Sequence, residues 1–163
     1  MTTTSPPARS TSQISLPATT HSYLLRAAES LSEAVTSTEV TTRYACAHVA
    51  ALRAAAALLA ARARPTVPTR RKPQKNAWVL LAEVAPELTE WAGFFAAGAG
   101  KRAAAEAGSR RAVTEREADD LVRDADRFLA VIEQSLGLVA HEPTLPYLVL
   151  PHVVPLHAVR RVG

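Results

Sequence analysis

The segment over residues 39–63 limits the fold of this chain more than any other feature, because much of it is alanine. Alanine is the best helix former among the amino acids, and its small side chain lets a second helix approach closely. The larger residues recur at the three- and four-residue spacing that places side chains on one helix face. The members of this face are Tyr44, His48, Ala51, Ala55, Leu58 and Leu59. We predict a helix over 39–63 at the centre of a bundle, with Ser37 or Thr38 as its N-cap.

Composition excludes several other classes of fold and site. Alanine accounts for 33 of the 163 residues, against eight aromatic residues and six glycines, which favours helices over strands and argues against an all-β fold. The glycine-rich patterns of nucleotide-binding loops and the short motifs of zinc proteases and serine hydrolases are absent. Because Cys46 is the single cysteine, neither an intrachain disulfide nor a cysteine zinc site can form. We expect no cofactor and a reducing, cytoplasmic location.

Apolar periodicity predicts three further helical regions. The first lies between Thr20 and Ser37. The next has Asn76 as its N-cap, bends or restarts at Pro86, and fades near Gly108. The last begins with a capping box of Thr114 and Glu117 and ends at Gly137. The sequence therefore predicts an all-α, up-and-down bundle of four to five helices over residues 21–138.

Charged residues of the last helix are predicted to form a solvated face. Four aspartates lie among arginines there, and Asp119 and Asp120 stand four and three residues before Arg123. Such pairs stabilise a helix by a few tenths of a kcal/mol each, roughly. The acids of this predicted face are Asp119, Asp120, Asp124 and Asp126.

The two ends of the chain differ from the bundle in composition. Residues 1–20 are rich in Ser, Thr and Pro, and we predict a disordered leader that lacks the apolar core of a secretory signal. Residues 139–163 form a Pro-rich apolar tail, which either packs in extended form on the bundle or a partner, or is a loose extension. We favour the loose extension. Three histidines in this tail make a poor metal site, since their convergence would cost much backbone entropy; they are His141, His152 and His157.

Membrane association is not expected from the sequence. The most apolar stretch, residues 50–63, is interrupted by Arg53 and Arg62 and is too short to cross the hydrocarbon layer of a bilayer.

One local pattern could carry chemistry, namely Arg43 followed by His48. A guanidinium that stabilises a phosphate and an imidazole that moves protons are what RNA backbone cleavage requires. Positions five apart on a helix diverge by about 140°, so the two side chains could meet only around a substrate lying across a helix pair. Because His48 shares a face with Tyr44 and Ala51, the structural alternative is a core histidine bonded to a neighbour. We favour this alternative.

The strongest charge cluster is the loop around residues 64–75, where three prolines prevent a helix. Six positive charges within 14 residues, with no acid among them, could hold phosphates or an acidic protein. An exposed connection without such a role is the alternative, since no aromatic residue is present for base stacking. The cations are Arg62, Arg64, Arg70, Arg71, Lys72 and Lys75.

The order of these patterns resembles a HEPN domain, and more narrowly a small actinobacterial branch of that superfamily. The resemblance covers residues 21–138 and rests on four stretches of sequence. These are residues 43–53, the Trp78 region with residues 86–91, residues 113–118, and residues 124–128.

This resemblance implies an all-α bundle that commonly pairs as a homodimer. Many HEPN proteins are metal-independent ribonucleases, toxins or RNA-processing enzymes, in which an Arg, four to six intervening residues and a His form a motif near the last long helix. Here the chain has no histidine between His48 and His141, so only Arg43 and His48 match that spacing, in the second helix. Other HEPN domains are inactive modules that assist nucleotidyltransferase partners or assembly. We therefore expect a non-catalytic binding module, with a metal-independent ribonuclease or a toxin–antitoxin component using Arg43 and His48 as the alternative.

Overall fold

The computed structural model of the protein describes residues 15–63 and 75–144. Over these ranges the chain is all-α, and the description contains helices and turns but no strand. The α-helices are α1 (Ala18–Thr36), α2 (Val40–Arg62), α3 (Ala77–Val84), α4 (Thr89–Ala97), α5 (Ala99–Glu106) and α6 (Glu115–Ser135). Only Gly98 separates α4 from α5, so the two form one bent helix, and the bundle then has five helices as predicted.

Helix α1 begins earlier than the predicted domain boundary at residue 21. Its first turn starts at Ala18, and Thr20 is fully buried, with its Oγ1 donating to the Ala57 carbonyl of α2 at 3.3 Å. Residues 18–20 therefore belong to the bundle and not to the leader. The predicted leader otherwise lies mostly outside the described residues.

The turn between α1 and α2 corrects the predicted N-cap. Ser37 instead ends α1, because its backbone N–H donates to the Glu33 carbonyl at 2.9 Å. The N-cap of α2 is Glu39, whose side chain makes no capping hydrogen bond. The Ser37 hydroxyl donates to the Glu39 carbonyl at 3.4 Å, so neither Ser37 nor Thr38 is the N-cap of α2.

Two other helix starts follow the predicted chemistry. The Asn76 side chain accepts from the Trp78 backbone N–H at 2.9 Å and caps α3. At α6 the Thr114 hydroxyl accepts from the Glu117 N–H while the Glu117 carboxylate accepts from the Thr114 N–H, which completes the capping box. Gly137 follows α6 with φ of +75°, a left-handed conformation that favours glycine.

Pro86 interrupts the chain as predicted. Helix α3 ends at Val84, and a single 3₁₀ turn, Pro86–Leu88, leads into α4. The break at Gly98 is an additional feature, which the periodicity did not indicate.

Helix α2 lies at the centre of the bundle and packs against α1, α3, α5 and α6. Its buried alanines let these helices approach closely, since a small side chain shortens the distance between helix axes. Aromatic rings fill the space between α3, α4 and α6, where the ring centroid of Phe95 lies within 6 Å of those of Trp78, Trp91 and Phe128. The cluster consists of Trp78, Trp91, Phe95 and Phe128.

The acids of α6 are less uniform than the predicted solvated face. Asp120 pairs with Arg123 as expected, but Asp119 pairs with Arg43 of α2 and not with Arg123. Asp126 is 9% exposed and accepts hydrogen bonds from the segment after the helix. Two of the four aspartates therefore hold tertiary structure together.

Among the described residues, one helix, Val40–Arg62, is long and apolar enough by composition to span a membrane. Half of its apolar stretch is buried against the other helices, which is also typical of a core helix.

Candidate functional site

Arg43 lies in the first turn of α2 and is held by two partners. Its Nη1 forms an ion pair with Asp119 of α6, and its Nε donates to the Ser37 carbonyl at 3.2 Å. The side chain is 16% exposed. The guanidinium thus ties the start of α2 to α6 and to the turn before it.

His48 lies in the core, with 1% of its surface exposed. The Phe95 carbonyl can only accept, so the imidazole Nε2–H donates to it at 2.9 Å. The edges and faces of Trp78 and Phe95 surround the ring in T-shaped arrangements. Burial lowers the pKa of His48, and the hydrogen bond to Phe95 opposes this effect only in part. His48 is therefore a neutral core side chain, as the structural alternative predicts.

Gly98 explains how His48 reaches α4. A Cβ at this position would lie 3.1 Å from the Tyr44 hydroxyl and 3.4 Å from Cδ2 of His48. The absence of a side chain therefore lets the Tyr44 and His48 face of α2 approach the junction of α4 and α5. The sequence did not predict this contact, because a glycine in an alanine-rich stretch gives no indication of which helix packs against it.

Arg43 and His48 are not brought together around one cleft. Arg43 contacts α6 and the α1–α2 turn, whereas His48 contacts α3 and α4. The shallow groove beside His48 contains Lys75, Asn76 and Arg102 among its lining residues. Arg102 is in turn 3.8 Å from Glu106.

The predicted phosphate or partner surface is described only at its two ends. Arg62 donates to Glu87 at 2.7 Å, and Lys75 donates to both oxygens of Glu83 at 2.7 and 2.9 Å. The hydrogen bond of Arg62 to Glu87 lowers the pKa of that carboxyl. The other four cations, Arg64, Arg70, Arg71 and Lys72, lie outside the described residues.

A second groove, of about 500 Å³, lies between the α4–α5 region and α6. Phe94 is 47% exposed at this groove and meets the Trp91 ring edge-on. The charges around it alternate in sign, and Lys101, Arg123 and Arg127 each pair with a carboxylate. Burial raises the pKa of Asp124 within it. This groove therefore has no net cationic character that would select a phosphate.

Metal binding has no support within residues 15–63 and 75–144, where no group of three or more His, Cys, Asp or Glu side chains is placed to hold an ion. His152 and His157 lie beyond these ranges.

His141 lies within the described residues, and its ring contacts Asp126 and Glu133 of α6. Sequence reasoning missed this cluster, because its three members join a helix to the segment that follows.

The comparisons with known proteins give one match. A family model described as SAV_6107-like HEPN matches residues 34–133, which is more than half of the chain. No curated protein and no solved structure gives a match.

Proposed function

The chain belongs to the SAV_6107-like HEPN family, and from this premise we propose that it is a non-catalytic module for binding and assembly. The observation that carries the proposal is the burial of His48, which is the only histidine of the matched region. A general acid or base must reach the proton that it transfers, directly or through one water. The Nε2–H of His48 is committed to the Phe95 carbonyl instead.

The state of Arg43 supports the same proposal. A guanidinium that stabilises a scissile phosphate needs its donors aimed at the charge that develops on the phosphate. Asp119 already neutralises Arg43, and their pair adds a polar tie to the apolar packing of α2 against α6. Arg43 and His48 thus act on different sides of α2.

We infer that the basic loop supplies the contact surface of this module. Arg62 and Lys75 pair with Glu87 and Glu83, so in this proposal the other four cations of the loop sequence contact an RNA or an acidic protein. These are Arg64, Arg70, Arg71 and Lys72. In this proposal the module works as a homodimer in the cytoplasm, a reducing compartment that suits the lone Cys46.

A ribonuclease assay tests the non-catalytic assignment. Purified protein is incubated with mixed RNA beside Arg43→Gln and a matched control, Arg53→Gln, which changes an arginine of the same helix bonded to Ser30. We expect no cleavage by any of the three proteins. Cleavage that is lost in Arg43→Gln but kept in Arg53→Gln would establish the nuclease alternative, provided that both variants keep the circular dichroism of the parent.

A binding assay tests the surface. We expect replacement of Arg70, Arg71 and Lys72 with Ser to weaken RNA binding and to lower the slope of log K against log salt by about 2, at roughly 0.7 per phosphate contact. Replacement of three cations from other surfaces, Arg26, Arg110 and Arg116, is the control at equal net charge. Equal losses in both triple variants would remove the loop from the proposal, and light scattering on the same samples measures whether the parent is a dimer.

A further inference from the structure

The segment after α6 returns along the helix that it has just left. Gly137 reverses the chain in its left-handed turn, and the Leu138 N–H donates to the Glu133 carbonyl at 2.9 Å. We call residues 138–144 the return segment. It leads directly into the Pro-rich part of the tail.

Two carboxylates of α6 hold the return segment. Glu133 Oε2 accepts from the His141 backbone N–H at 2.8 Å, and Asp126 Oδ1 accepts from the Thr144 backbone N–H at 3.2 Å and from its hydroxyl at 2.6 Å. Asp126 and Glu133 are seven residues apart, which is nearly two full helix turns, so both lie on one face. The return segment therefore runs parallel to the helix axis between two anchors.

The His141 ring bridges the same two anchors. Its Nδ1 lies 2.8 Å from Glu133 Oε2, and its Nε2 lies 3.1 Å from Asp126 Oδ1. Ionised carboxylates only accept hydrogen bonds, so both ring nitrogens must carry a proton for both contacts to form. A neutral imidazole has one N–H and would present a lone pair to the second carboxylate. The observed geometry therefore fits the imidazolium form.

We propose that His141 is a proton-dependent clasp, which in its charged form holds the return segment on α6 and releases it on losing the proton. Thr144 is released with it, because Thr144 lies three residues after His141 and the neutral ring would set a lone pair against one of the two carboxylates that hold the segment. The clasp thus sets whether Thr144, the last described residue, is held beside Asp126 in the middle of α6.

The electrostatic surroundings favour the charged form. Burial opposes protonation of His141, but hydrogen bonds to Glu133 and Asp126 outweigh it and raise the pKa of the ring. These two carboxylates are the charged groups in contact with the ring among the described residues, and Glu142 is its acidic neighbour in the return segment. Because the pKa is higher in the clasped state, the clasp is fully formed below the ordinary histidine pKa, about 6.5, and opens as pH rises through the higher value.

Amide hydrogen exchange followed by NMR on the full chain tests this proposal. The reporters are the His141 and Thr144 amides, with protection corrected for the intrinsic effect of pH. We expect their protection to fall as pH rises from 6 to 9, by roughly tenfold for each unit by which the clasped pKa exceeds the free one. The midpoint should coincide with the titration of the His141 ring and lie above the ordinary histidine pKa, about 6.5.

Two variants separate the clasp from general stability. His141→Gln should show low protection of the Thr144 amide at every pH, whereas His21→Gln should behave as the parent. Amides in the middle of α6 should keep their protection in all three proteins. Protection of Thr144 that does not change with pH, or a His141 midpoint no higher than the ordinary histidine pKa, about 6.5, would overturn the proposal.

Discussion

His48 and His141 show how one side chain can serve two opposite purposes in a small protein. His48 meets a backbone carbonyl and aromatic rings, so it is neutral and its proton stays in place. His141 meets two carboxylates near the surface, so it is charged and its proton can leave. The difference shows that the acceptors around an imidazole, together with access to water, decide whether it builds structure or responds to pH.

Removal of the buried histidine should have the largest effect. We expect His48→Ala to lower the free energy of unfolding by about 2–4 kcal/mol, since it opens a cavity and deletes a buried hydrogen bond. Urea unfolding followed by tryptophan fluorescence measures this loss. His141→Ala is the comparison, and an equal loss in the two variants would contradict the assignment of His48 to the core.

A side chain added at Gly98, beside His48, should have the next largest effect on the free energy of unfolding. We expect Gly98→Ala to cost about 1–2 kcal/mol, because its Cβ would press on the Tyr44 hydroxyl and the His48 ring. In a Tyr44→Phe background the nearest atom is gone, so the cost of the second change should be smaller. Identical costs in both backgrounds would show that the hydroxyl does not limit the approach of the helices.

Loss of the Arg43 ion pair should have a smaller effect than either change. We expect Arg43→Gln to lower the free energy of unfolding by about 1 kcal/mol, since Asp119 is partly exposed and water already weakens the ion pair. A double-mutant cycle with Asp119→Asn measures the coupling between the two side chains. A coupling of zero would mean that Arg43 stabilises the bundle only through the Ser37 carbonyl.

The smallest expected effect is the pH dependence of the free energy of unfolding, which should have opposite signs for His141 and His48. We expect the difference in unfolding free energy between the parent and His141→Gln to be about 1 kcal/mol at pH 6 and to shrink as pH rises through the clasped pKa. His48 acts in the opposite direction. Its pKa is lowered in the folded state, so the unfolded chain takes up a proton first and stability falls as pH drops below about 6.5. A difference that grows with pH would reverse the role given to His141.

The sequence predicts the parts of this fold that depend on neighbours along the chain. The capping box of Thr114 and the Asn76 cap each join residues two or three apart, and the structure contains both. The helical periodicity also places His48 on the buried face of α2. In these cases the local sequence pattern and the packing of the bundle favour the same conformation.

The sequence fails where two distant segments decide a residue's surroundings. Asp119 finds Arg43 from 76 residues away, so its pairing with Arg123 could not be ruled out from helix spacing. Asp126 looks solvent-facing on a helical wheel, and only the reversal of the chain after Gly137 covers it. The Gly98 contact likewise depends on which helix lies opposite.

Glu117 connects α5 to the start of α6 through contacts that should persist at low pH. Its carboxylate binds Lys101 of α5 and also the backbone and hydroxyl of Thr114, and the contacts with Lys101 and then Thr114 lower its pKa from 4.5 to about 2. The charge on this group, and the support that it gives to the start of α6, should therefore persist under conditions that neutralise ordinary glutamates. In an acid titration, the link between α5 and α6 should be among the last surface connections to fail.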